Sequence, residues 1–135
     1  MLSLLYVSVS LLARSAERQE VEELVCSAID HNLRAGITGA LVLADGRFAQ
    51  VLEGPREEVA ALMGRIAIDR RHTSVRVVST SFVSERRFPN WGMIQRRYLP
   101  QYADLTHMAL TSAEAPVGAA KALHQLLEQG ATARF

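Results

Sequence analysis

Residues 2–9, LSLLYVSV, alternate with a two-residue rhythm. Leu4, Tyr6 and Ser8 fall on one face, and Leu5, Val7 and Val9 on the other, the pattern of a strand. Over 17–32 the rhythm becomes helical. Val21, Leu24, Val25, Ala28 and Ile29 recur on one side, with Glu17, Glu20, Glu22 and Glu23 early, where a helix dipole favours acid. Asn32 and Gly36 bracket the end of that helix. ITGALVLA (37–44) and RFAQVLE (47–53) then flank Asp45-Gly46, a strong hairpin signal. Gly54 precedes a second helix over 55–69, with Pro55 at its first position and Val59, Leu62, Met63 and Ile66 as its apolar stripe. A strand follows over 74–83, and a fifth over 88–97 carrying Phe88, Trp91 and Met93. In the tail, 116–129 reads as one short amphipathic helix with Leu123, Leu126 and Leu127 apolar.

The order is βαββαββ. Right-handed crossovers predict the first and third strands side by side at the centre of a sheet, parallel, with both helices on one face. This is an α+β, ferredoxin-like plan: a mixed five-stranded sheet, two helices on one face, and a short C-terminal helical extension. The expected division is a domain over 1–97 and an extension over 98–135. The plan hosts many functions and settles none.

Composition narrows the classes. Of 135 residues 49% are hydrophobic, enough for the core of one domain. Fifteen Lys+Arg against 14 Asp+Glu leave a net charge of +1, which gives no case for nucleic acid or a membrane surface. No apolar run reaches the roughly 18 residues of a membrane span. The start alternates like a strand and has no positive charge before its apolar run, so it does not read as a secretory leader. A cytoplasmic protein is expected. Cys26 is the single cysteine, so no internal disulfide is possible, and beside a buried stripe it reads as an inert thiol. His31, His107 and His124 lack metal-ligand spacing, and no glycine-rich phosphate loop or nucleophile motif is present.

The informative residues are polar ones among apolar neighbours. Gln50 shares a strand face with Phe48 and Leu52, so its amide is expected to be buried and in need of partners. If that face and the Tyr6 face both meet the helices, a phenol and an amide lie together, either as a self-satisfied core pair or under a planar ligand. Asn32 suits a helix cap as well as a ligand contact. Arg65, Asp69, Arg70, Arg71 and His72 crowd the end of the second helix, where cations complement the dipole or build a polar binding site. Trp91 and Met93 by themselves read as core residues.

LLYVS, GITGALVLADGRFAQVLEGP, DRRH and RRFPNWGM, in that order, resemble the BLUF family, sensors of blue light using flavin adenine dinucleotide (FAD), over roughly residues 2–96. The resemblance implies a photoreceptor rather than an enzyme, holding flavin noncovalently as FAD, with flavin mononucleotide or riboflavin as alternatives. It implies that Tyr6 donates an electron and a proton to the excited flavin. Gln50 would lie between Tyr6 and the flavin N5/C4=O edge and rearrange its hydrogen bonds, with Ser8 beside the pair. Asn32 would bond the C4=O/N3 edge, with His31 at the adjacent variable position. Arg65 and Asp69 would lie near the C2=O edge and ribityl chain, and Arg71 and His72 near the phosphates. Trp91 and Met93 match the pair that changes position in light. Expected partners are a second copy of the chain, as a homodimer or higher homo-oligomer, and a separate response protein. The loop 9–17 is longer than usual, and the tail has room for one helix where many relatives carry two. The rear sheet face, with Leu5, Val7, Val9 and Val51, needs cover from the tail or a second subunit. Two rivals are a BLUF-like interaction module without photoactivity and an acylphosphatase-like enzyme using Arg65 or Arg71 to hold an anion. The latter lacks its Arg-rich loop after the first strand.

Overall fold

The computed structural model describes residues 1–88, 92–112 and 117–130. Along them run β1 (Leu2–Ser10), α1 (Glu17–Arg34), β2 (Thr38–Ala44), β3 (Arg47–Gly54), α2 (Arg56–Ala67), β4 (His72–Phe82), β5 (Ile94–Gln95), α3 (Pro100–Thr111) and α4 (Val117–Gln129). The hairpin forms where Asp45-Gly46 predicts it. Both residues take positive φ, 49° and 75°, the turn whose twist matches its strands. α1 ends at Gly36, φ 73°, where the Ile37 N–H returns to the Asn32 carbonyl at 2.7 Å. Pro55 stands one place earlier than expected, as the cap before α2, because its ψ of 134° is extended.

The strands order as β4-β1-β3-β2-β5. β1 and β3 are central neighbours, but they run antiparallel, not parallel as expected. Connectivity is the reason. The α1 crossover leaves β1 and β2 pointing the same way, one place apart. The hairpin makes β3 antiparallel to β2, so β3, inserted between them, opposes both. The sheet is still mixed, because β5 joins β2 in parallel. β5 is shorter than the expected 88–97. Among the described residues the strand is Ile94–Gln95, continued by the Arg96 N–H to the Leu41 carbonyl at 2.7 Å, and Phe88 lies in the preceding loop.

The alternation in β1 sorts residues as expected. Leu4 and Tyr6 join Leu41, Phe48 and Leu52 on a front face against Val21, Val25 and Val59 of α1 and α2. Leu5 and Val7 join Ala40, Val42, Ala49 and Val51 on the rear face. Two tail helices, not one, cover that rear face, through Tyr102, Ala103 and Ala109 of α3 and Ala120, Leu123 and Leu127 of α4. Arginines tie both helices to the rims of the sheet. Arg76 of β4 donates to the Ala109 and Ser112 carbonyls at 2.9 and 2.6 Å. Arg96, just past β5, donates to the Leu127 and Glu128 carbonyls at 2.6 and 3.1 Å. Each satisfies carbonyls that a helix end leaves without partners and complements its dipole.

His124 of α4 lies half-buried with its ring 5.7 Å from Phe88, and its Nδ1 has no hydrogen-bond partner among the described residues. Burial, and then the positive charge of Arg87, push its pKa down, while Glu128 and Glu53 oppose them. A base with a lowered folded pKa binds fewer protons folded than unfolded. Its stability contribution is therefore present above the ordinary histidine range and lost as pH falls through that range. The parent should show a lower urea midpoint at pH 5 than at pH 7.5, and His124→Phe should reduce that difference. Equal differences in the two chains would refute a neutral buried imidazole.

Candidate functional site

The apolar stripes of α1 and α2 are only partly buried, at Leu24, Ala28 and Ile29 and at Leu62, Met63 and Ile66. The reason is a cavity of about 320 Å³ between these helices and the front face, lined in part by Leu24, Ala28, Leu41, Phe48, Leu62 and Ile66. A concave shape with apolar walls and a few convergent polar groups is the usual make-up of a small-molecule site.

The polar floor comes from the two central strands. Tyr6 and Gln50 are direct partners in the β1–β3 register, and both are buried. The Tyr6 hydroxyl donates to Gln50 Oε1 in a short hydrogen bond. Burial, and then the negative charge of Asp69, raise the phenol pKa, with Arg71 acting the other way, so Tyr6 keeps its proton at neutral pH. With Oε1 engaged, Gln50 Nε2 faces the sulfur of buried Met93 at 3.2 Å. A thioether is a weak acceptor, so this end of the amide is loosely held.

Asn32, in the last turn of α1, faces the site and is almost fully buried. Its Nδ2 donates to the Gly92 carbonyl at 2.8 Å. A Cβ on Gly92 would stand 2.7 Å from the Ile29 carbonyl, so only glycine lets this backbone approach α1 so closely.

The end of α2 and the loop after it form the polar rim. Arg65 lines the cavity and meets His31 Nε2 at 2.7 Å, bridging the two helices. Asp69 and Arg71 also line it, joined by a side-chain ion pair and by the Arg71 N–H to Asp69 Oδ1 at 2.9 Å. The Arg71 side chain holds the Asp69 carboxyl below its ordinary range, and Asp69 raises Arg71 in return. His72 has both ring nitrogens engaged, Nδ1 with Ser8 Oγ at 2.7 Å and Nε2 with the Ile66 carbonyl at 2.6 Å. A carbonyl only accepts, so Nε2 donates to Ile66.

The structure thus gathers Tyr6, Asn32, Gln50, Arg65, Asp69, Arg71 and His72 around one cavity. Ser8 and His31 stand one residue behind it, through His72 and Arg65. Met93 reaches it through Gln50, and Trp91 lies outside the described residues. Cys26 is exposed rather than beside the core. Sequence reasoning missed Gly92 as the acceptor for Asn32, and it missed Arg86. The Arg86 guanidinium donates to Thr38 Oγ1, the Glu53 carbonyl and the Gly36 carbonyl at 2.9, 3.1 and 2.6 Å. Nothing local distinguishes Arg86 from its neighbour Arg87, because its partners lie more than 30 residues away.

Comparison with known proteins gives one answer. The family model of BLUF, sensors of blue-light using FAD, matches residues 1–94. A photoactivated adenylate cyclase subunit beta-like protein FB of Euglena gracilis is 35% identical over 82 residues, 61% of this chain and 10% of that protein. The blue light- and temperature-regulated antirepressor BluF of Escherichia coli (strain K12) is 33% identical over 75 residues, 56% of this chain and 19% of that protein. The chain therefore spans between a tenth and a fifth of the length of these two relatives. Among solved structures, the photo-activated state of BlsA superposes with a TM-score of 0.82 at 25% identity, covering 99% of both chains. The dark state of BlrB superposes with a TM-score of 0.77 at 29% identity, covering 94% of both. The family match takes in all four long strands and both front helices, which together enclose the cavity, and the chain belongs to the BLUF family of blue-light sensors.

Proposed function

We propose that residues 1–97 are a blue-light photosensor that holds a flavin in the front cavity, with 98–135 as an extension that covers the rear face and carries the output. The observation behind this reading is the row Tyr6–Gln50–Met93 along the cavity floor, a protonated phenol joined through an amide to a soft sulfur. The cavity fits the group: its walls suit a flat ring system, and at 320 Å³ it takes the ring end of a flavin rather than a whole dinucleotide. Gln50 and Asn32 would hold the polar ring edge. Arg65 and Asp69 would hold the remaining carbonyl and the ribityl chain. Arg71 and His72 are tied to Asp69, Ser8 and Ile66, so the phosphate end, the part in which FAD, flavin mononucleotide and riboflavin differ, would lie at the rim.

When bound, the flavin supplies blue-light absorption and an excited state that accepts an electron. Tyr6 would be the donor, with its proton leaving toward Gln50 Oε1, the atom it already faces. Gln50 would relay that proton, and electron and proton would then return to Tyr6, restoring the phenol and leaving the Gln50 amide rotated or tautomerised, with only a thioether given up at Nε2. Met93 then loses its dark partner, and the change passes through β5 toward α3 and α4. A second copy of the chain and a separate response protein in the cytoplasm are the proposed readers.

Acid-released cofactor should co-migrate with a flavin standard on chromatography. Protein that stays colourless after flavin loading would instead favour an interaction module. Gln50→Leu should keep the flavin and abolish the light-induced red shift, at a stability cost of about 1–2 kcal/mol, since leucine keeps the volume but leaves the phenol without its acceptor. Tyr6→Phe should also bind flavin and lose the shift, with a longer excited-state lifetime in time-resolved absorption. A normal reversible shift in either variant would show that the site is misassigned. Met93→Ala and Trp91→Ala should keep the shift but weaken the light-dependent change in association state measured by scattering. Parent-like responses in both would remove β5 from the route.

A further inference from the structure

Glu53 is completely buried on the rear face of β3, three residues beyond Gln50. A carboxylate there is costly unless hydrogen bonds compensate it. Its Oε1 accepts the backbone N–H groups of Arg87 and Phe88 at 2.8 and 3.0 Å. Its Oε2 has no partner among the described residues. An apolar residue would fill the same volume but offer neither N–H group an acceptor. The carboxylate is therefore present as an acceptor for this backbone.

The stretch it holds matters for the front cavity. Arg86 fastens the residue before it to Gly36, Thr38 and the Glu53 carbonyl. Phe88 is buried, with its ring against His124 of α4. Five residues after Phe88, the chain presents Met93 to Gln50, and Gly92 is held by Asn32. β3 thus contacts the described residues on both sides of 89–91, Met93 through Gln50 on its front face and the 87–88 backbone through Glu53 on its rear.

We propose that Glu53 is a positioning residue for Met93: its carboxylate fixes the 87–88 backbone and so sets how the Met93 sulfur meets the Gln50 amide. Its functional consequence rests on the photosensor reading above. Return from the lit state requires Gln50 to rebuild its contact with Met93. A Met93 sulfur no longer positioned from the 87–88 backbone must first be found again, so return slows.

The test uses the full chain, flavin-loaded and flavin-free. Glu53→Leu should exchange the Arg87 and Phe88 amides about tenfold faster than the parent. Loaded, it should return from the red-shifted state about threefold slower or more. Glu53→Gln keeps an acceptor oxygen and should restore both to near parental values. Glu53→Asp, which withdraws the carboxylate by one methylene, should behave like Glu53→Leu and carries the test if leucine prevents folding. Leu127→Ala, in the rear core and away from the 87–88 backbone, controls for lost stability. Equal return rates in Glu53→Leu and Leu127→Ala, or failure of Glu53→Gln to restore, would overturn the proposal. If the parent shows no red shift, the photosensor reading fails, and exchange at 87–88 in the flavin-free chains alone decides whether Glu53 positions the segment.

Discussion

The pairing of β1 with β3 sets Tyr6 directly across from Gln50, and the rest of the front cavity depends on that register. In a sheet the side-chain period is two, so a slip of one residue would send Tyr6 to the rear face and bring Val7 forward. What fixes the register is apolar burial on both sides at once. Leu4, Leu41 and Leu52 face one helical layer, and Leu5, Val42 and Val51 face the other. A polar pair can therefore be carried in the middle of the sheet without loosening it. The same burial keeps the phenol protonated, which fixes the direction of the Tyr6–Gln50 bond and, through it, the orientation of the amide.

Around this rigid centre the binding groups are held with graded firmness. Asn32 and the Gly92 backbone are close-packed. His72 is pinned at both nitrogens. At the rim, Asp69 and Arg71 pair in partial contact with solvent, where an ion pair contributes little to stability. The weakest contact in the row is the one at the sulfur. The change of one hydrogen bond proposed above, with the fold left intact, would use this distribution of firm walls and one soft partner.

Much of this was legible in the chain. Asp45-Gly46 declared its turn, and the alternation in 2–9 and 47–53 sorted Tyr6 and Gln50 onto one face. Adjacency of β1 and β3 does not by itself give their orientation, because the hairpin reverses β3 between two like-directed strands. The spacing of Phe88, Trp91 and Met93 imitated a long strand. In fact the backbone at 87–88 is held by a side chain, Glu53, which periodicity does not register. α3 has no clear hydropathic signature because its buried face is built from Tyr102, Ala103, Thr106 and Ala109, small or polar residues that give little contrast. Contacts such as Ser8 with His72, 64 residues apart, have no local signature at all.

The covered rear face bears on handling of the molecule. A chain ended near residue 97 would retain every described residue that lines the cavity, while uncovering Leu5, Val7, Ala40, Val42, Ala49 and Val51 as one contiguous apolar surface. Such surfaces drive association when left to water. Pigmentation and colloidal behaviour would then part company, because a shortened chain can carry an intact chromophore pocket on a sheet that sticks to its neighbours. Colour reports the front of this protein, and solubility reports the back.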